Sequence, residues 1–211
     1  MLWKLFSNLI HRNTIVKKIK NNFKNTGGFK MEKNIELRKN LVTALLLAVG
    51  FILRNFIPIG IGSMKGDIML GITFVCILIN PTVKNTILTG LLAGIITAMT
   101  TAFPGGQVAN LVDKILTAFL VLGMVKVFGN YNHKIIPIGV IGLIGTIFSG
   151  SVFLLTALAL VGLPVGFNVL FATVVLPTAV INTPITILLY KLVLKSINAT
   201  NLGSLYRQKA A

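Results

Sequence analysis

Acidic side chains are what this sequence has least of: four Asp and Glu in 211 residues, against twenty Lys and Arg, for a formal net charge of +16. Charged residues are 11% of the chain and mean hydropathy is +0.88, whereas a soluble domain carries roughly a quarter charged residues. An ordinary soluble globule is excluded. The single cysteine, Cys76, lies inside an apolar segment, so disulfides and cysteine-based metal sites are excluded too. Of the two histidines, His11 is in the N-terminal tail and His133 in a polar loop, which leaves no histidine cluster for a metal. There is no Gly-x-Ser-x-Gly elbow, no pair of carboxylates within one apolar segment and no Walker sequence. No catalytic residue, metal or cofactor is expected, and the chain has no means of hydrolysing ATP by itself.

What the sequence does have, from Leu41 to Leu194, is a run of apolar segments punctuated by Pro and Gly. Six spans are expected: about Leu37 to Ile57, Asp67 to Ile79, Asn85 to Thr101, Gln107 to Phe128, Ile135 to Val161 and Phe167 to Leu194. A helical crossing needs about 20 apolar residues, so the second and third are short. Lys and Arg gather in the N-terminal tail, at Lys84, at Lys126 and Lys134, and at Lys195, Arg207 and Lys209; the alternate loops 58–66, 102–107 and 162–166 hold only Lys65. Basic loops stay cytoplasmic. The fold class expected is an all-α membrane protein of six transmembrane helices with both termini cytoplasmic. Because the basic residues flank apolar spans, their partner is the lipid bilayer, and no soluble module remains to bind nucleic acid.

Three regions follow from composition. Residues 1–30 form a basic extension without an acid, 31–195 the six-helix membrane domain, and 196–211 a basic cytoplasmic tail. Two readings of the extension stay open. Leu2, Trp3, Leu5, Phe6, Leu9 and Ile10 among lysines suit a membrane-surface helix. Alternatively, Gly27-Gly28 shortly before Met31 marks a ribosome-binding site, and translation begins at Met31.

Beyond the N-terminal tail only two acids occur, Asp67 and Asp113, each beside a lysine (Lys65 and Lys114) at an outward-facing segment. Ionisable groups within spans are functional by default. Gln107, Asn110 and Lys114 follow i, i+3, i+7 spacing and share a helix face, with Asp113 adjacent. The plain alternative is an interfacial Asp113–Lys114 pair, and Asp67 as a first-turn acid favoured by the helix dipole. If the groups converge, they surround a small zwitterion: a cation or free N–H groups for its carboxylate, Asp67 or Asp113 for its ammonium, Phe103 and Phe167 as aromatic walls. Gly90-x-x-x-Gly94 and Gly142, Thr146 and Gly150 read as close helix packing, and Arg54 as a side chain snorkelling to the outer interface. Pro177 and Pro184 lie on one face of the last span with Asn182 and Thr183 between them, suited to a kink that faces either a cavity or a packing surface.

The segments GSMKGDIML (62–70), TTAFPGGQVANLVDK (100–114), GLPVGF (162–167) and VVLPTAVINT (174–183) resemble the bacterial tryptophan transporter family. Its members are small six-helix proteins similar to the substrate-binding S components of energy-coupling factor transporters. The resemblance covers about Met31 to Leu194; Gly66 departs from it, where Pro is expected. It implies import of tryptophan across the bacterial cell membrane, for which Lys65, Asp67, Phe103, Gln107, Asn110, Asp113, Lys114, Phe167 and Asn182, read from the residues themselves, are the expected substrate-binding residues. It also implies a transmembrane coupling subunit with two ATPases as partner, docked on an Ala-x-x-x-Ala face of the first helix that Ala44 and Ala48 match. The alternative is a self-sufficient, proton-coupled secondary amino-acid transporter with Asp113 as the proton carrier. A structural or assembly protein without substrate is the third class.

Overall fold

The computed structural model describes residues 36–56, 67–129 and 134–199, and the backbone alone of 60–61 and 64–65. Residues 1–35 and 200–211, which include the basic extension, Met31 and most of the tail, lie outside the described residues, as do Gly66 and the Lys65 side chain. The chain divides into two compact units, Met1–Leu41 and Val42–Ala211. Of the first, only the helical residues 36–41 are described.

Six helices are described: α1 (36–56), α2 (Ile68–Ile79), α3 (Val83–Met99), α4 (Gly106–Phe128), α5 (Ile135–Leu160) and α6 (Phe167–Ala199). Between α1 and α2 a two-residue antiparallel ladder pairs β1 (Gly60–Ile61) with β2 (Met64–Lys65). Of the described helices, α5 and α6 are each long and apolar enough by themselves to cross a membrane. The helix limits fall close to those expected from Pro and Gly, except that α6 continues past Leu194 to Ala199.

Short α2 is the centre of the packing. Its 12 residues rise about 18 Å, well short of the roughly 30 Å hydrocarbon core, and Ile68 to Leu78 are all buried. A helix apolar on every side needs neighbours on every side, and α3, α4, α5 and α6 all pack on it. Phe74, Val75 and Leu78 meet Val121 and Leu122 of α4, Ile141 of α5 and Tyr190 of α6. Met69, Ile72 and Cys76 meet Leu47 of α1 and Ala93 of α3.

Both ends of α2 have polar groups that must be satisfied away from water. At its start Asp67 is the N-cap, accepting a hydrogen bond from the Leu70 N–H at 3.1 Å. At its end Asn85 donates to the carbonyls of Cys76 (3.0 Å) and Asn80 (2.9 Å), and accepts from the Thr43 hydroxyl at 2.7 Å. One buried carboxamide thus closes the helix and ties α1 to α3.

Small residues set the remaining approaches. A Cβ on Gly94 would meet Leu111 Cα at 3.2 Å, and one on Gly90 the Lys114 carbonyl at 3.3 Å, so α3 lies against the α4 backbone. A Cβ on Gly150 would sit 2.6 Å from Val175, where α6 widens into a π-helical stretch, Phe171–Val175. The Leu176 N–H there bonds to the Phe171 carbonyl. Pro177 follows directly; it lacks an N–H and its ring crowds the carbonyl four residues back, and the wider turn relieves that conflict. Such bulges are frequent at functional sites.

Candidate functional site

The N-terminus of α2, the end of α1 and the first turns of α4 bring four charges together. Asp67 is held by its backbone: its N–H donates to Asn182 Oδ1 of α6 at 2.8 Å. Asn182, fully buried, donates in turn to the Thr146 hydroxyl of α5 at 3.4 Å. The Asp67 carboxylate lies 3.4 Å from the Arg54 guanidinium and 3.8 Å from Lys114 Nζ. Lys114 donates to Asp113 Oδ2 and, at 3.4 Å, to the Ser149 hydroxyl. Thr117 donates to Asp113 Oδ1 at 2.9 Å. Two cations and two anions make the cluster neutral, as buried charges require.

These groups line a cavity of about 330 Å³, within the range of small-molecule sites. Arg54, Asp67, Asn110, Asp113 and Lys114 supply its polar wall. Phe103, Phe153, Leu154, Leu170 and Val174 supply the apolar one, the last two flanking or within the π stretch. Phe103 and Phe153 meet edge to face, ring centres 5.5 Å apart. A second cavity of about 690 Å³, between residues 102–104 and 161–164, is larger but has no ionisable group on its lining. The ionisable groups therefore gather at the smaller one. Phe103 borders both.

Among the residues expected at the site, Asp67, Phe103, Asn110, Asp113 and Lys114 line the cavity, and Asn182 holds Asp67 from behind. Gln107 is exposed and off the lining. The buried stripe of α4 runs through Gly106, Ala109, Asn110, Asp113, Lys114, Thr117 and Ala118, and Gln107 falls outside its phase. Phe167 stacks on Phe171 (5.9 Å) rather than lining the cavity. Ala44 and Ala48 are exposed on α1, flanked by exposed Leu41, Leu45, Val49 and Ile52. The Lys65 side chain lies outside the described residues. Among the described residues no group of three or more His, Cys, Asp or Glu is arranged to hold a metal.

Sequence reasoning missed Arg54, Thr146, Ser149 and Phe153. Arg54, expected from the sequence at the outer interface, lies 3.4 Å from the Asp67 carboxylate and lines the cavity. For α5 a signal existed: Thr146, Ser149, Gly150 and Phe153 recur at helical spacing on one face, of which the sequence reading took only Thr146 and Gly150, as packing.

This arrangement, an electroneutral ion cluster beside an aromatic wall, bears on what the chain is similar to. Residues 36–198 match the family model described as "Tryptophan transporter TrpP". A relative from Bacillus subtilis (strain 168), named "Probable tryptophan transport protein", is 45% identical over 159 residues, covering 75% of this chain and 92% of its own length. Relatives of the same name from Clostridium acetobutylicum and Clostridium perfringens are 40% and 41% identical, covering 77% and 80% of this chain and 95% and 99% of their own lengths. No solved structure matches. The family match takes in all six helices and every residue described at the cavity, and on that extent the chain belongs to the tryptophan transporter TrpP family.

Proposed function

We propose that the chain is a six-span bacterial plasma-membrane protein, both termini cytoplasmic, that binds tryptophan from outside and imports it. The observation that carries this reading is the neutral Arg54–Asp67–Lys114–Asp113 cluster on a cavity with aromatic walls. A zwitterionic amino acid fits such a cluster by exchange of partners. Its carboxylate takes a place between Arg54 and Lys114, and its ammonium takes the freed Asp67 oxygens. Every charge stays paired, so the desolvation that makes buried ions costly is limited. The indole then lies against Phe103 and Phe153.

Lys84 near the start of α3, Lys126 in the last turn of α4, Lys134 before α5 and Lys195 in the last turns of α6 support the orientation, since they mark one side of the bilayer. The site then opens on the opposite, outer side. Family likeness to S components supports energisation by a separate coupling subunit with two ATPases. The exposed Ala44 and Ala48 on α1 supply a small-residue face on which such a subunit docks.

A second reading has one observation in its favour: Asp113, 1% exposed on α4, is placed where a proton carrier of a self-sufficient transporter would sit. Calorimetry of tryptophan with the purified chain in detergent tests the first reading, and saturable binding is expected. Uptake by liposomes holding this chain alone, driven by a pH gradient, would establish the second reading instead.

A further inference from the structure

Tryptophan differs from phenylalanine and tyrosine in carrying a ring N–H, and a buried site that selects it over them needs an acceptor aimed at that hydrogen. Most oxygens around the cavity are occupied. Asp67 Oδ1 accepts from Leu70 and Arg54, and Asp113 Oδ1 and Oδ2 from Thr117 and Lys114. The hydroxyls of Ser149, Thr146 and Thr101 accept from Lys114, Asn182 and the Phe103 N–H.

Asn110 is different. It is 7% exposed, lines the cavity, and donates its side-chain N–H to the Gly106 carbonyl at 2.9 Å. A carbonyl can only accept, so the atom facing Gly106 is Nδ2 and the carboxamide is fixed in one orientation. Its Oδ1 then has no hydrogen-bond partner among the described residues, on a side chain that lines the cavity. An amide oxygen is an acceptor only. It cannot turn to satisfy itself on its own helix as a hydroxyl does.

We infer that Asn110 Oδ1 is the acceptor for the indole N–H and hence the residue that selects tryptophan over ligands lacking that hydrogen. Asn110 and Lys114 are one helical turn apart on the same face, about 6 Å along the axis. That offset separates the carboxylate end of the ligand from its ring, as the Phe103–Phe153 wall also requires. The inference rests on the tryptophan reading above and adds the source of its selectivity. A site built to bond an N–H rejects an analogue without it, because the acceptor is then left buried and unpaired.

The test compares L-tryptophan with 3-(3-benzothienyl)-L-alanine, in which sulfur replaces the ring N–H at nearly constant shape, by calorimetry on the full chain in detergent. The wild type should prefer tryptophan by about tenfold or more. Asn110→Leu should lower tryptophan affinity while leaving the benzothienyl ligand nearly unchanged, so the ratio falls to near one. Thr178 also lines the cavity, with a hydroxyl that is the rival acceptor, and Thr178→Val should keep the wild-type ratio. A wild-type ratio near one, an Asn110→Leu variant that still discriminates, or a Thr178→Val variant that loses discrimination would each overturn the assignment while leaving tryptophan binding itself intact. Failure of the wild type to bind either ligand would remove the tryptophan reading and this inference together. The wild-type ratio and Thr178→Val need no change at position 110, so they decide the matter even where Asn110→Leu does not fold.

Discussion

Substituting the two site carboxylates by Asn should separate binding from stability. Asp113 is the buried one: its side chain is 1% exposed and its partner Lys114 4% exposed. Removing one member of a buried pair costs about 3–5 kcal/mol, because the other charge is left uncompensated. Here Lys114 keeps a second anion, Asp67 at 3.8 Å, and unit charges at about 4 Å attract by about 4 kcal/mol at an effective dielectric of about 20. The loss for Asp113→Asn should therefore fall at the low end, about 3 kcal/mol, or roughly 6–12 °C in melting temperature. The Asp67 side chain is 25% exposed, and Asn caps a helix as well as Asp does. Asp67→Asn should thus cost less than about 1 kcal/mol of stability. It should cost far more in binding: loss of a charge-assisted bond to the substrate ammonium is about 1.5–3 kcal/mol, an affinity lower by about 10- to 150-fold. Thermal melting and tryptophan calorimetry on both variants in one detergent at neutral pH give the comparison. Wild-type affinity in Asp67→Asn, or an Asp113→Asn variant as stable as wild type, would refute this account of the cluster.

Trp at Ala44 or Ala48 should leave tryptophan binding to the purified chain unchanged and abolish uptake in cells, since it blocks close docking on α1; uptake that persists with both replaced would remove that face from the mechanism. Gly150→Ala places a methyl 2.6 Å from Val175, itself 5% exposed, and should destabilise by about 1–3 kcal/mol and weaken binding through the displaced π wall, read by melting and calorimetry. Asn85→Leu removes one hydrogen bond each from the buried Cys76 and Asn80 carbonyls, which keep their backbone donors, and takes away the acceptor of the Thr43 hydroxyl. It should lower stability by about 3 kcal/mol, yet leave affinity unchanged because the cavity is at the other end of α2.

The helix limits were legible because Pro and Gly interrupt apolar segments at every turn: Asn80-Pro81 stops α2, and Gly105, left-handed at φ 69°, precedes α4. Which helix is central was not legible. An evenly apolar segment such as Ile68 to Ile79 has no preferred face, and its shortness alone does not say that five others surround it. On α4 the polar residues identified the helix end, but spacing from Gln107 put the face slightly out of phase; burial follows Asn110, Asp113, Lys114 and Thr117 instead. The partner of Arg54 was not legible because the Asp67 carboxylate is 13 residues away along the chain. Phe153 rather than Phe167 joins Phe103 because α5 packs on α4, the helix that Phe103 precedes, a fact about packing that no local pattern contains.

The equal count of cations and anions at the cavity has an electrical consequence. Moving one elementary charge through the full transmembrane potential is worth about 2.3 kcal/mol per 100 mV. A zwitterion entering an ion cluster that sums to zero carries no net charge through that field, and exchanging partners among Arg54, Asp67 and Lys114 shifts charge only over short distances within the site. Loading should then be as effective in a depolarised cell as in an energised one. Any dependence of net uptake on membrane voltage would have to arise in another step.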